Sequence, residues 1–307
     1  MHYPGALYHV MLRGNAGKEV FADDRDRRRL YELLGEGVER YGHRIHAFCL
    51  MTNHVHLAVQ VGQVPLPRLM QNLAFRYAQW FNRRHRRFGH LFQGRYKAVL
   101  VDADSYLLAL VRYIHLNPVR AALVSEPGAY AWSGHRTYIG RERVDWLDDS
   151  WVLSQFGGSA EQARERYARF VAEGAGEGRR EEFHRGGAVR TVLGDDGFAE
   201  QATARAGRCE RSPVALEEVI AAVCARARLT EQALSAPGKG RAAARARAVV
   251  AWLVRQVPGL SLQETGRRLR RDISSLSAAA TRLDQCIDAD PELAQYVARL
   301  RADLRIP

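Results

Sequence analysis

Two short runs hold the residue types best suited to chemistry. The first is Met51-Thr52-Asn53-His54-Val55-His56-Leu57-Ala58-Val59. On a strand, side chains two apart point to the same face. His54 and His56 therefore project together, close enough to share one ion, while Val55, Leu57 and Val59 turn into a helical layer. The spacing alone also fits two solvated or hydrogen-bonded imidazoles, the commoner use of such a pair. The second run is Arg112-Tyr113-Ile114-His115-Leu116-Asn117-Pro118. Tyr113 and Asn117, four apart on a predicted helix, share a face. An amide oxygen beside two imidazoles suits Mg²⁺ or Mn²⁺ better than a structural zinc. A tyrosine one turn away would lie beside that ion. Without the ion, Tyr113 reads as a half-buried aromatic and Asn117 as a helix C-terminal cap.

Both runs need elements to hold them, and the flanking sequence supplies these. Leu7 to Arg13 reads as a strand ended by the turn-forming Gly14-Asn15. Asp23 and Asp24 offer N-caps for a helix from about Arg25 to Tyr41, with Leu30, Leu33, Leu34 and Val38 at helical spacing and Gly42 closing it. Arg44 to Met51 and His54 to Val61 read as a hairpin around Thr52-Asn53. Pro65 opens a long helix through Arg84, and Tyr96 to Val101 is a fourth strand. Asp102 or Asp104 caps a helix to about Asn117, stopped by Pro118. This order is the split βαβ pattern of an α+β, ferredoxin-like fold: a four-stranded antiparallel sheet with helices on one face.

The 307 residues suggest about two domains. We expect a first, α+β domain over 1–140, a helical extension and linker without a readable motif over 141–235, and an all-α domain over 236–307. Glycine-rich stretches at Ala172 to Glu182 and Ala236 to Arg241 mark the joints. The net charge of +12 and the local run Arg83-Arg84-His85-Arg86-Arg87 favour a polyanion partner. Arg83, Arg84, Arg86 and Arg87, with Arg95, Lys97, Arg13 and Arg120, are candidates for tracking phosphates, and solvated loop arginines are the alternative. Phe75, Tyr77, Trp80 and Phe81 belong by period to the core of the long helix. No apolar run is long enough to span a membrane, and the start lacks the pattern of a signal peptide. Cys49, Cys209, Cys224 and Cys286 form no CxxC pair, which argues against a zinc site or a disulfide scaffold. The expectation is a cytoplasmic protein.

Taken together, the two runs resemble the HUH single-tyrosine transposases, and specifically the REP-associated tyrosine transposases of bacteria. The resemblance covers about 3–140. It includes Tyr8-His9-Val10-Met11-Leu12-Arg13-Gly14-Asn15, His46 to Met51 leading into Asn53-His54-Val55-His56, Gly89 to Tyr96, and Tyr113 to Ala121, in order. Leu57-Ala58 stands where a bulkier aliphatic pair is commoner, which should affect packing rather than chemistry. The resemblance implies a ferredoxin-like catalytic domain in which His54, His56 and Asn117 hold one Mg²⁺ or Mn²⁺ and Tyr113 is the nucleophile. It implies cleavage and rejoining of single-stranded or hairpin DNA through a 5′-phosphotyrosine, with a released 3′-hydroxyl able to reverse the step. His90 and His115 are read as structural or DNA-contacting. Members act as monomers or homodimers, and a bacterial, nucleoid-associated location would follow.

Near the C-terminus, Ser261 and Glu264 make a capping box, Leu262, Thr265 and Leu269 share one face, and a turn at Arg270-Arg271-Asp272 leads to a helix with Ser274, Ser275 and Ser277. That is a helix-turn-helix layout. It resembles the C-terminal DNA-binding domain of the bacterial initiator DnaA, of the Trp-repressor type. The resemblance implies duplex DNA as a second partner, with Arg271, Ser274 and Ser275 at the contact. A helical scaffold module is the alternative. For the whole chain, two further classes remain: a catalytically silent sequence-specific DNA-binding regulator, and an RNA-binding ferredoxin-like sheet. The joint presence of Tyr113, His54, His56 and Asn117 argues against the first. Histidines in place of stacking aromatics argue against the second.

Overall fold

The computed structural model describes residues 1–178, 180–185, 191–209, 214–238, 240–257, 260–287 and 290–306. Arg179 and Lys239, within the two glycine-rich joints, and Pro258-Gly259 lie outside the described residues. The chain divides into two units, Met1–Ala206 and Gly207–Pro307. Among the described residues no helix is long and apolar enough to cross a membrane.

The first unit opens with β1 (Leu7–Arg13), α1 (Asp24–Tyr41), β2 (Arg44–Met51), β3 (His54–Gln60), α2 (Leu66–Arg84), β4 (Lys97–Val101) and α3 (Ala103–His115). Local chemistry fixes the ends. Asp23 caps α1 in a reciprocal capping box with Asp26, and Gly42, at φ 63°, ends it in the left-handed region. The Asp102 carboxylate caps α3 by accepting from the Asp104 N–H. The chain continues through α4 (Asn117–Arg120), α5 (His135–Tyr138), α6 (Ser150–Ser154), α7 (Ala160–Glu173), α8 (Glu182–Arg185), β5 (Val192–Leu193) and α9 (Asp196–Cys209).

The strand order is β2-β3-β1-β4-β5. Its first four strands are antiparallel in the expected ferredoxin-like order, and Met11 lies opposite His56 in the β1–β3 register. Three features differ from the sequence reading. A short fifth strand adds parallel to β4. Helices cover both faces rather than one. Tyr31 of α1 packs on Phe48, which pairs with Leu57; α3 lies on the opposite face, where the Tyr113 and His56 ring centroids are 6.3 Å apart. The helix expected to run to Asn117 ends at His115 and restarts as α4, with Pro118 in the first turn, where a proline costs no hydrogen bond.

Residues 141–206, read from sequence as part of a separate extension, pack into the first core through Val144, Val152, Tyr167, Val171 and Phe183. The second unit comprises α10 (Leu216–Ala227), α11 (Glu231–Ser235), α12 (Arg241–Gln256), α13 (Leu262–Arg268), α14 (Ile273–Ile287) and α15 (Pro291–Asp303). It has its own core, built on Val249, Val250 and Leu253 of α12, which also takes in Val219 and Leu234 from the expected extension. Ser261 accepts from the Glu264 N–H, the first half of the expected capping box. Thr265 and Leu269 are buried, and Arg270 turns the chain at φ 50° between α13 and α14.

Candidate active site

Strand β3 turns His54 and His56 toward α3, with ring centroids 4.9 Å apart. A chain of hydrogen bonds sets how each imidazole presents itself. The Phe183 carbonyl can only accept, so the His9 Nδ1–H donates to it at 2.8 Å. Complete burial pushes the His9 pKa down to about 3, so its ring is neutral and its Nε2 must accept. The His56 Nδ1–H therefore donates to His9 Nε2 at 2.8 Å, and the lone pair of His56 lies on Nε2. His54 follows the same logic. The Asn53 amide donates to the Gly17 carbonyl, which leaves its Oδ1 to accept from His54 Nδ1–H at 2.7 Å. Neither Nε2 has a hydrogen bond among the described residues. Burial first, then the charges of Arg13 and His184, lowers the His54 pKa to about 4; burial and neighbouring histidines hold His56 well below its usual value. Both imidazoles are neutral at ordinary pH.

Helix α3 delivers Tyr113, which is 4 % exposed. Its hydroxyl lies 2.6 Å from His184 Nε2, and its ring packs 5.0 Å from that of Phe183. Arg120 stacks its guanidinium 4.0 Å from the Tyr113 ring centroid. The same guanidinium donates to the Tyr113 carbonyl and, at 3.1 Å, to Asn117 Oδ1. The Asn117 amide donates to the Ile114 carbonyl at 3.3 Å, so its oxygen is the atom presented outward. His54, His56, Tyr113, Asn117 and Arg120 line one cleft of about 770 Å³, which Arg13, Arg95, Lys97 and His184 also border.

The donor set bears on a divalent ion. Among the described residues no group of three or more His, Cys, Asp or Glu could hold one. The set here is of another kind: two imidazoles with Nε2 lone pairs unengaged, and an amide oxygen with one of two acceptor positions left beside Arg120. That set fits a site of mixed nitrogen and oxygen donors for a divalent ion.

The remaining sequence candidates separate. Arg13, Arg95 and Lys97 are exposed at the cleft, while Arg120 is half-buried against Tyr113. Arg83, Arg86 and Arg87 are exposed at the far end of α2, where Arg87 borders a second cleft of about 190 Å³ with Lys18, Phe88 and His90. Arg84, expected to track phosphates, has its guanidinium held by Asp23 at 2.6 Å and by the fully buried Asp26 at 2.5 Å. In the second unit, Ser274 and Ser275 are exposed at the start of α14, whereas Arg271 donates to the Ala236 carbonyl. His115, read as structural or DNA-contacting, is fully buried and bonds Tyr167. Sequence reasoning missed His9, Phe183 and His184. His9 carried a signal: it alternates onto the face of Met11, opposite His56. His184 carried none, since it follows a stretch read as linker.

The family model and the curated relative accord with the two resemblances. Residues 3–117, less than half of the chain, match the family model described as "Transposase IS200 like". The chromosomal replication initiator protein DnaA of Sphingopyxis alaskensis is 32% identical over 120 residues, 39% of this chain and 25% of that protein. The chain thus spans about a quarter of that relative's length. A solved structure of a REP-associated tyrosine transposase bound to a REP hairpin is similar at 15% identity and a TM-score of 0.39, covering 48% of this chain and 90% of that one. The first unit of this chain carries, in residues 3–117, the pattern of the IS200-like transposase family.

Proposed function

We propose that the first unit is a metal-dependent endonuclease and strand transferase of the transposase kind, which cleaves and rejoins single-stranded or hairpin DNA through a 5′-phosphotyrosine. The observation that carries this reading is a single cleft lined by the Tyr113 side chain, the two imidazoles with unengaged Nε2 atoms, and Asn117. His54, His56 and Asn117 would hold the divalent ion, which when bound supplies charge neutralisation at a scissile phosphate. Tyr113 supplies the nucleophile. Arg13, Arg95 and Lys97 hold the flanking phosphates, and Arg120 fixes the ring of Tyr113 and the amide of Asn117. In the second unit, α13 and α14 form a helix-turn-helix that would present Ser274 and Ser275 to duplex DNA.

The test is incubation of the chain with a panel of single-stranded hairpin oligonucleotides and Mg²⁺ or Mn²⁺, beside Tyr113→Phe. The wild type should form a covalent protein–DNA adduct and the variant none. No adduct from the wild type on any hairpin would sink the reading, and an equal adduct from Tyr113→Phe would move the nucleophile elsewhere.

A further inference from the structure

Phe183 and His184 lie in α8, beyond the residues that match the transposase family. Several contacts anchor their segment against the cleft. Arg112 of α3 donates to the Glu177 carboxylate and stacks 4.4 Å from the Phe170 ring centroid. Arg180 stacks 4.7 Å from the ring of Phe183, which is fully buried against Tyr113. The Phe183 carbonyl is tied to His9. With Phe183 fixed on both sides, the next side chain has little freedom, and it places His184 Nε2 2.6 Å from Tyr113 Oη.

A phenol with its ordinary pKa near 10 is almost wholly protonated at neutral pH, so attack on phosphorus requires somewhere for its proton to go. An acceptor atom about 2.6–3.2 Å from the oxygen that carries the proton meets the geometric condition for a general base. The neighbours of Tyr113 named above sort by whether they can accept. Arg120 has no lone pair to offer. Both His9 nitrogens are engaged, and His56 keeps only the Nε2 assigned to the ion. His184 Nε2 is already at the hydroxyl.

We propose that His184 is the general base for Tyr113. As Tyr113 Oη bonds to phosphorus and the P–O3′ bond breaks, the phenol proton passes to His184 Nε2, and the released 3′-oxygen takes a proton from solvent. In the joining step a 3′-hydroxyl attacks the phosphotyrosine and gives its proton to solvent, while His184 returns a proton to the departing phenolate. The extension after the family-matched segment thus completes the catalytic centre. This inference rests on Tyr113 being the nucleophile.

The experiment measures single-turnover adduct formation by the full chain on a hairpin oligonucleotide with Mn²⁺, for wild type, Tyr113→Phe, His184→Ala and His184→Gln. Gln keeps a hydrogen bond to the phenol but is no base. Both His184 variants should lose about 100-fold or more in rate, and added imidazole should restore part of the rate in His184→Ala but not in His184→Gln. An unchanged rate in His184→Gln, or a slow His184→Ala that imidazole leaves untouched, overturns the proposal while leaving the nucleophile in place. A wild type without adduct removes the nucleophile and the base together. In the wild type itself, ¹⁵N-histidine spectra should show one Nε2 signal that moves on Tyr113→Phe; the absence of such a signal also overturns it.

Discussion

The imidazoles of this site illustrate how much a single proton position decides. His56 can offer Nε2 to a metal only because His9, held neutral by burial and fixed by the Phe183 carbonyl, forces the proton of His56 onto Nδ1. Outer partners of this kind are worth about 10–100-fold in metal affinity. Replacing His9 by Phe keeps an aromatic ring, slightly larger, and removes the acceptor. We expect the Mn²⁺ concentration for half-maximal adduct formation to rise by about that factor, with activity recovering at saturating metal; an unchanged Mn²⁺ dependence would show that His9 does not orient His56. The cleft cations act differently. Arg95→Ala with Lys97→Ala should weaken hairpin binding across sequences and shrink the salt slope of log K by about 1–2 units, read by titration at several salt concentrations. The shared face of His54 and His56 was legible because strand alternation is a local rule, and Tyr113 and Asn117 were singled out by the resemblance, since α3 ends at His115 and helical spacing does not carry through to Asn117. His184 was not, because it meets Tyr113 across 71 positions of sequence with no periodicity to announce it.

Elements show where charge in the sequence misleads. The run Arg83 to Arg87 reads as one basic patch, yet its members have different work. Arg84 and His85 reach back to Asp26 at the start of α1, and Asp26 also accepts from the Ala22 and Asp23 N–H groups. A fully buried carboxylate with these partners joins the first turn of α1 to the last turn of α2. Asp26→Ala leaves the half-buried Arg84 with Asp23 as its one remaining carboxylate among the described residues and strands backbone donors, so we expect a loss of about 3 kcal/mol in urea unfolding. A loss within about 0.5 kcal/mol, the range of ordinary surface substitutions, would show the network to be incidental. The turn between α13 and α14 has a similar weak point in Gly266. A Cβ there would lie 2.7 Å from the Arg271 carbonyl oxygen, held close because the Arg271 N–H donates to the Gly266 carbonyl across the turn between α13 and α14. Gly266→Ala should therefore cost about 1–3 kcal/mol through overpacking against backbone. The capping serine and the buried face of α13 could be read in sequence, whereas this close approach depends on the fold of the turn itself.

At the scale of the whole chain, two cores replace the three segments that composition suggested. The boundary moves because residues 141–206 bury Tyr167, Val171 and Phe183 with the sheet, and no motif marks residues that serve only packing. The same burial makes the first unit acid-sensitive. His135 is packed against His115 and Tyr167, and burial first, then the charge of Arg141, lowers its pKa from 6.5 to about 4. His9 is lowered to about 3 by burial. The unfolded chain binds these protons below about pH 6.5, and the folded chain refuses them until about pH 4 or lower. Stability is therefore complete above pH 6.5 and falls as pH drops through that window, levelling only below the folded values. For His135 alone the shift corresponds to a loss of roughly 3 kcal/mol on going from neutral pH to about 4. Urea midpoints of the full chain at a series of pH values between 7 and 4 should decline steadily, and His135→Phe should flatten part of that decline by removing one buried titrating group. A midpoint independent of pH across the window, or an identical slope in His135→Phe, would mean that the folded unit takes up these protons as readily as the unfolded chain.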